Sequence, residues 1–266
     1  MEAPHIGVRR CYGYGAAGIG MNIFYTDVYP LPLPIGHRFP IEKYSLLRRR
    51  LTDSGRIAPQ QLRLPEAARR RDILRAHCPH YYQRFLEGSL DARTMRRIGF
   101  PWSPELVERT LRSAGATVQA GRLALQEGVA VCLSGGTHHA HYDRGEGYCI
   151  LNDSAIAART FLAEKRVQRI LILDCDVHQG NGTASILAGQ DGVFTFSIHG
   201  AKNFPFRKAA SDLDIALADG TTDDRYLAVL QPALETVFLQ WRPELVIYLA
   251  GADPLCGDRF GRMALT

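Results

Sequence analysis

Residues 170–178 read Ile-Leu-Ile-Leu-Asp-Cys-Asp-Val-His, and this stretch decides the fold. The near-continuous apolar run is the kind expected of a strand buried on both faces. It ends abruptly in Asp174, Asp176 and His178. In extended backbone, alternate side chains share one face. The three can therefore point into one crevice while Cys175 and Val177 pack behind them.

Working outward, other apolar runs alternate with segments at helical spacing. VAVCLSGG (129–136) is a strand ending in glycines, and DSAIAARTFLAEK (153–165) is a helix with Asn152 or Asp153 as cap. After the central strand, TASILAG (183–189) is a short helix behind a Gly-Asn-Gly turn, and VFTFSIH (193–199) a further strand. DDRYLAVLQPALETVFLQW (223–241) is a long helix interrupted by Pro232, and ELVIYLAGAD (244–253) a buried strand. Strands alternating with helices imply an α/β fold, an open parallel sheet with helices on both faces. The first half is less regular. It has a strand-like NIFY (22–25) and helices near IEKYSLLRRRL (41–51) and PELVERTLRSAGATVQAGRLAL (104–125).

With 266 residues, 46% hydrophobic and 22% charged, the chain can bury one large core. No stretch approaches the roughly 20 apolar residues of a membrane helix, and residues 1–25 lack the apolar stretch of a signal peptide. A cytoplasmic protein is expected, with residues 1–21 a flexible leader and 22–266 one catalytic domain. Six cysteines are scattered without two-residue spacing, which argues against a thiolate metal site and for reduced, mostly buried thiols. The net charge of +5 comes largely from segments such as LLRRRL and AARRRD. Solvated helix faces account for them, and direct nucleic-acid binding is not expected.

Ligands of open parallel sheets bind beyond the carboxyl ends of the strands. Three polar clusters fall there: Thr137-His138-His139-Ala140-His141, Asp174-Cys175-Asp176-Val177-His178, and Ala252-Asp253. One such aspartate alone more commonly caps a helix; the set together points to chemistry. One histidine with carboxylates from separate strands matches a nitrogen–oxygen site for zinc or a similar divalent ion. Three protein ligands leave a position open for water, the catalytic arrangement. Gly135-Gly136 allows a tight turn before the histidine pair, and a neutral histidine there could move a proton. His141 carries no comparable argument and reads as structural or peripheral.

GGTHHA (135–140), GEGYCILNDSAIAA (145–158), LILDCDVHQGNGTA (171–184) and YLAGADPLCGD (248–258) resemble the successive motifs of the histone deacetylase family. LPLPIGHRFPIEKYSLLRRRL (31–51) resembles its N-terminal motif, particularly in bacterial and class IV-like members. The likeness runs from about Asn22 to Thr266. It implies the arginase–deacetylase fold, with Asp176, His178 and Asp253 as zinc ligands. His139 is then the general base and acid, while His138, backed by Asp174, orients the water. Asn181 stands where many members have an aspartate behind the second histidine, which should leave His139 less basic. Gly147 and Tyr148 match one wall of an acyl-lysine tunnel, and Phe204 is a candidate for the opposite wall. The family also often binds potassium through groups corresponding to Asp174, Asp176, His178 and Ser197.

The implied reaction is metal-assisted hydrolysis of acetyl-lysine in proteins or of a small N-acetylated amine. One departure stands out. Members continue into further helix and strand and a glycine-rich turn with an oxyanion-binding tyrosine, and no such motif follows Asp253 here. Tyr248, inside its strand, is no substitute. The resemblance therefore implies a C-terminally incomplete domain lacking the last strand–helix elements. Loss of one oxyanion donor typically lowers rates on the order of 100- to 1000-fold. The alternative function is then a metal- and acyl-lysine-binding homologue of impaired activity. An arginase-like ureohydrolase with two manganese ions is the third possibility, and a single Asp/His/Asp set argues against it.

Overall fold

The computed structural model describes residues 21–266, so the expected leader at 1–21 lies outside the described residues except for Met21. In chain order the elements begin with β1 (Asn22–Phe24), α1 (Lys43–Asp53), β2 (Leu62–Arg63), α2 (Arg70–Ile73), α3 (Pro79–Glu87), α4 (Ala92–Ile98) and α5 (Pro104–Glu127). There follow β3 (Ala130–Cys132), α6 (Asp153–Ala163), β4 (Ile170–Asp174), α7 (Asn181–Leu187), β5 (Val193–Gly200), β6 (Leu213–Leu217), α8 (Asp223–Gln240) and β7 (Leu245–Leu249). Among the described residues, no helix is long and apolar enough to cross a membrane.

The strands form two sheets, of order β2-β1-β3 and β6-β5-β4-β7, parallel at every pairing. This is the expected α/β class, with the strands divided between two sheets. All five residues of β4 are buried, as its apolar sequence requires of a strand between two neighbours and beneath helices. Ile170 and Ile172 join the larger core with α5 and α6, whereas Leu171 and Leu173 join a second core with β5, β6 and α8. The two faces of β4 thus serve two different cores.

Local chemistry explains the helix starts. Ser103 accepts the backbone N–H of Leu106 and opens α5, with Pro104 at the first helical position. Asn152 accepts the N–H of Ala155 and opens α6, so it is the cap of the two candidates. Three expectations need correction. α8 runs unbroken through Pro232. α7 begins at Asn181, inside the expected turn. β7 is not buried throughout: Val246 is 36% and Tyr248 59% exposed. Among the described residues β7 is an edge strand with a ladder partner only at β4, and it buries Leu245 and Leu249 in the larger core while its alternate side chains reach solvent.

Candidate metal and histidine site

The site lies where β3, β4 and β7 end. β4 terminates at Asp174, so the turn after it, rather than continued strand, carries Asp176 and His178. The alternation expected of extended backbone survives in effect. Cys175 and Val177 enter the second core, and the polar residues between them face the crevice. The turn is held by its own carboxylates. Asp174 Oδ1 accepts the N–H of Asp176 at 3.1 Å, and Asp176 Oδ1 accepts that of His178 at 2.8 Å. Asp253, beyond β7, ties in from the side by accepting the N–H of Val177 at 3.0 Å.

Asp176, His178 and Asp253 offer donor atoms that all lie within 4.8 Å of one another. His178 Nδ1 stands 2.9 Å from Asp176 Oδ1 and 3.0 Å from Asp253 Oδ2. Burial opposes charge on this ring, but the hydrogen bonds to the two carboxylates and their charges prevail and lift its pKa to about 9. Asp176 is pushed well below the usual carboxylate range, its burial outweighed by the charge of His138 and the hydrogen bond with His178. A field that holds a proton this firmly suits a cation. One imidazole nitrogen and two carboxylates, half-buried and convergent, are a donor set that fits a divalent ion such as zinc.

The histidine pair arrives on the loop after β3. Asp153 fastens that loop, accepting the N–H groups of Gly136 (3.0 Å) and Thr137 (2.8 Å) as well as the Thr117 hydroxyl. Asn152 Nδ2 donates to the carbonyl of Ala140 at 3.1 Å and to Thr183 Oγ1 at 3.0 Å, joining the loop to α7. The two rings lie 4.1 Å apart between centroids. His138 Nδ1 is 2.7 Å from Asp174 Oδ2, and His139 Nδ1 is 2.7 Å from Asn181 Oδ1. Burial disfavours charge on His138, yet the carboxylates of Asp174 and Asp176 raise its pKa to about 9. His139 goes the other way. Burial, then the neighbouring charge of His138, hold it well below the usual histidine value, and the hydrogen bond to Asn181 does not compensate. At neutral pH, His139 is therefore a neutral ring.

The remaining sequence candidates divide. Phe204 stands edge-on to His139, with centroids 4.8 Å apart, and Gly147 lies so close that a Cβ there would come within 2.8 Å of His139 Cδ2. Tyr148 follows with φ +65°, and its ring packs among Phe39, Phe100 and His37 at centroid distances of 5.0 to 6.1 Å. Ser197 sits beside Asp174 in register on β5, with its hydroxyl 3.0 Å from His199 Nδ1.

Sequence reasoning missed two residues. His141, read as structural or peripheral, has Nε2 3.2 Å from Asn181 Nδ2 and 3.3 Å from Glu146 Oε1. Glu146 Oε1 itself accepts from Asn181 Nδ2 at 2.7 Å. The position of Glu146 beside Gly147 was the available signal.

Parallel strands thus end in a convergent Asp/His/Asp set beside a buried histidine pair with separate polar partners, one polar crevice on an α/β scaffold. The chain belongs to the family of the histone deacetylase domain, whose model matches residues 37–266. It is 45% identical over 248 residues to an uncharacterised protein of Picosynechococcus, covering 93% of this chain and 83% of that protein. It is 30% identical to histone deacetylase 2 of Arabidopsis thaliana, covering 92% of this chain and 67% of the relative. A histone deacetylase-like amidohydrolase of Pseudomonas aeruginosa is 31% identical, with 88% of this chain and 65% of the relative covered. Among solved structures, an HDAC homologue complexed with SAHA superposes with a TM-score of 0.81 at 25% identity, over 92% of this chain and 72% of that one.

Proposed function

We propose that this chain removes acetyl groups from acetyl-lysine side chains or small N-acetylated amines, with zinc held by Asp176, His178 and Asp253. One observation carries the reading: the convergence of those three donors beside a histidine kept neutral by its surroundings. Bound there, zinc supplies Lewis-acid polarisation of the acetyl carbonyl and acidifies water.

The protein's own groups do the rest. His139 takes the proton of the attacking water and returns it to the leaving amine, a task for a base that is uncharged at working pH. His138, held charged by Asp174, donates hydrogen bonds toward the water and the developing oxyanion. Gly147 leaves room for substrate beside His139, Phe204 forms one wall of the acyl-lysine path, and Tyr148 would complete it only by leaving its packing among Phe39, Phe100 and His37. A potassium ion would take Asp174, Asp176, His178 and Ser197 as its surroundings, with carboxylate and hydroxyl oxygens fitting that harder cation.

The test is hydrolysis of an acetyl-lysine peptide and of an acetylpolyamine by the zinc-loaded chain, with metal content measured on the same sample. Turnover of either substrate that vanishes on chelation and returns with zinc supports the reading. The second reading is a homologue that holds metal and acyl-lysine with little turnover. It is favoured by Tyr248, the tyrosine nearest Asp253 in sequence, being 59% exposed on the edge strand rather than at the site. One zinc per chain and SAHA binding without hydrolysis of either substrate would establish that reading instead.

A further inference from the structure

Asn181 can present either end of its amide to His139, and the two ends ask opposite things of the ring. A carbonyl facing Nδ1 requires Nδ1 to carry the hydrogen, which leaves Nε2 with a free lone pair. An NH2 group facing Nδ1 requires the reverse tautomer, whose Nε2 bears a hydrogen and cannot accept a proton. Amide orientation of this kind is set by the hydrogen-bonding network around it.

The far end of Asn181 meets Glu146, with Nδ2 and Oε1 2.7 Å apart. An ionised carboxylate only accepts, so the end facing it has to be the NH2 group. Hydrogen bonds from His141 and Asn181 keep Glu146 below the usual carboxylate range, against its partial burial. The carbonyl is thereby turned onto His139 Nδ1 at 2.7 Å. Glu146 is itself fixed. It pairs with Cys149 across a tight turn, and that turn is pinned to the end of α4 where Gly147 N–H donates to the carbonyl of Arg97 and Tyr148 N–H to that of Ile98.

We propose that Glu146 is a positioning residue that fixes the tautomer of His139 by locking the orientation of the Asn181 amide. The proposal rests on the reading of His139 as the base only for its effect on rate; the tautomer itself is independent of that reading. A neutral Asn in place of a carboxylate saves His139 from excess basicity but gives up orientation, because an amide can flip where a carboxylate cannot. Glu146 supplies the missing asymmetry one residue further out.

Two-bond proton–nitrogen correlation spectra of the zinc-loaded, 15N-histidine-labelled chain read the tautomer directly, with His139 assigned by its loss in His139→Gln. The wild type is expected to show Nδ1 protonated and Nε2 free. Glu146→Ala should shift His139 toward the Nε2-protonated form and lower kcat on the order of 10-fold with KM little changed, in the range of lost orienting partners. Asn181→Asp added to Glu146→Ala should restore the wild-type tautomer, because both ends of a carboxylate accept. Glu146→Gln, nearly isosteric and with an amide free to turn, should give an intermediate mixture and serves if Glu146→Ala does not fold. An unchanged tautomer in Glu146→Ala or Glu146→Gln overturns the proposal. A changed tautomer with unchanged kcat leaves the lock standing and removes His139 from the role of base.

Discussion

His138 and His139 are consecutive, each 4% exposed, with tilted rings whose centroids lie 4.1 Å apart, yet each is tied to a different kind of partner. His138 faces the buried carboxylate of Asp174; His139 faces the amide of Asn181. Burial acts alike on both, disfavouring charge. Only the carboxylate can outweigh it, so one ring is held charged and its neighbour neutral. The difference teaches how two copies of one side chain divide a proton-transfer task. In the proposed reaction the charged ring would stabilise negative charge and the neutral one would accept a proton. Asp174 further differs from Asn181 in reach, since it also holds the backbone of Asp176.

The largest expected effect tests the neutral partner. His139→Ala removes the proposed base and none of the three proposed metal donors, so turnover of the zinc-loaded chain should fall by about 100- to 10,000-fold with zinc content unchanged by elemental analysis. A variant within tenfold of the parent rate would break the comparison outright. Next comes the charged partner. Asp174→Asn loses the carboxylate that orients both His138 and the turn bearing Asp176. We expect zinc affinity to drop roughly 10- to 100-fold in chelator competition, the usual cost of losing an orienting partner. Asn181→Ala should leave zinc affinity close to wild type. Equal losses in the two variants would show that the pairs are not functionally divided.

Much of this division is visible in the sequence, for identifiable reasons. The buried run 170–174 and the ordered motifs around residues 135–140, 171–184 and 248–253 mark the strand ends, and with them the donors and the histidine pair. Strand periodicity is local, and residues at one sheet edge converge by topology. Other features depend on neighbours that no local pattern names. The two-residue strand β2 and the four-residue helix α2 have too few residues for a periodic signal. The exposure of Tyr248 follows from which strand lies at the edge, not from the apolar run that contains it. His141 and Glu146 gain meaning only through Asn181, which lies 40 and 35 residues away. Long-range pairs of polar residues leave no spacing to read.

Two glycines sharpen the contrast at a smaller scale. A Cβ at Gly180 would come within 2.5 Å of Asp174 Oδ2 and 3.3 Å of His138 Cβ, while one at Gly147 would meet His139 Cδ2 at 2.8 Å on a backbone with φ +58°. Overpacking of this kind costs about 1–3 kcal/mol, and an L-residue in the left-handed region adds roughly 1 kcal/mol more. Both alanine variants should melt lower than the parent. Their losses of function should separate, with Gly180→Ala weakening zinc and Gly147→Ala slowing turnover at normal zinc content. Zinc loss in Gly147→Ala would blur the boundary between the two pairs.

The smallest effect makes the partners alike. In Asn181→Asp, His139 gains a carboxylate of the kind His138 already has. An opposite charge favours the imidazolium, so the pKa of His139 should rise, by about one unit or more. The sign follows from its role: turnover needs the ring neutral, and activity is lost as pH falls through its pKa. In the wild type that pKa is held well below 6.5, so the acid limb of the kcat profile should lie below neutrality. The variant's limb should move upward, with little change at pH 8, where His139 is neutral in both proteins. Glu146, 2.7 Å from Asn181 Nδ2, would then face a second carboxylate, and the repulsion adds to the pull on the His139 proton. Adding Glu146→Gln should bring the limb part of the way back. A limb that stays in place in Asn181→Asp would mean that the amide's neutrality is not what sets His139 apart from His138.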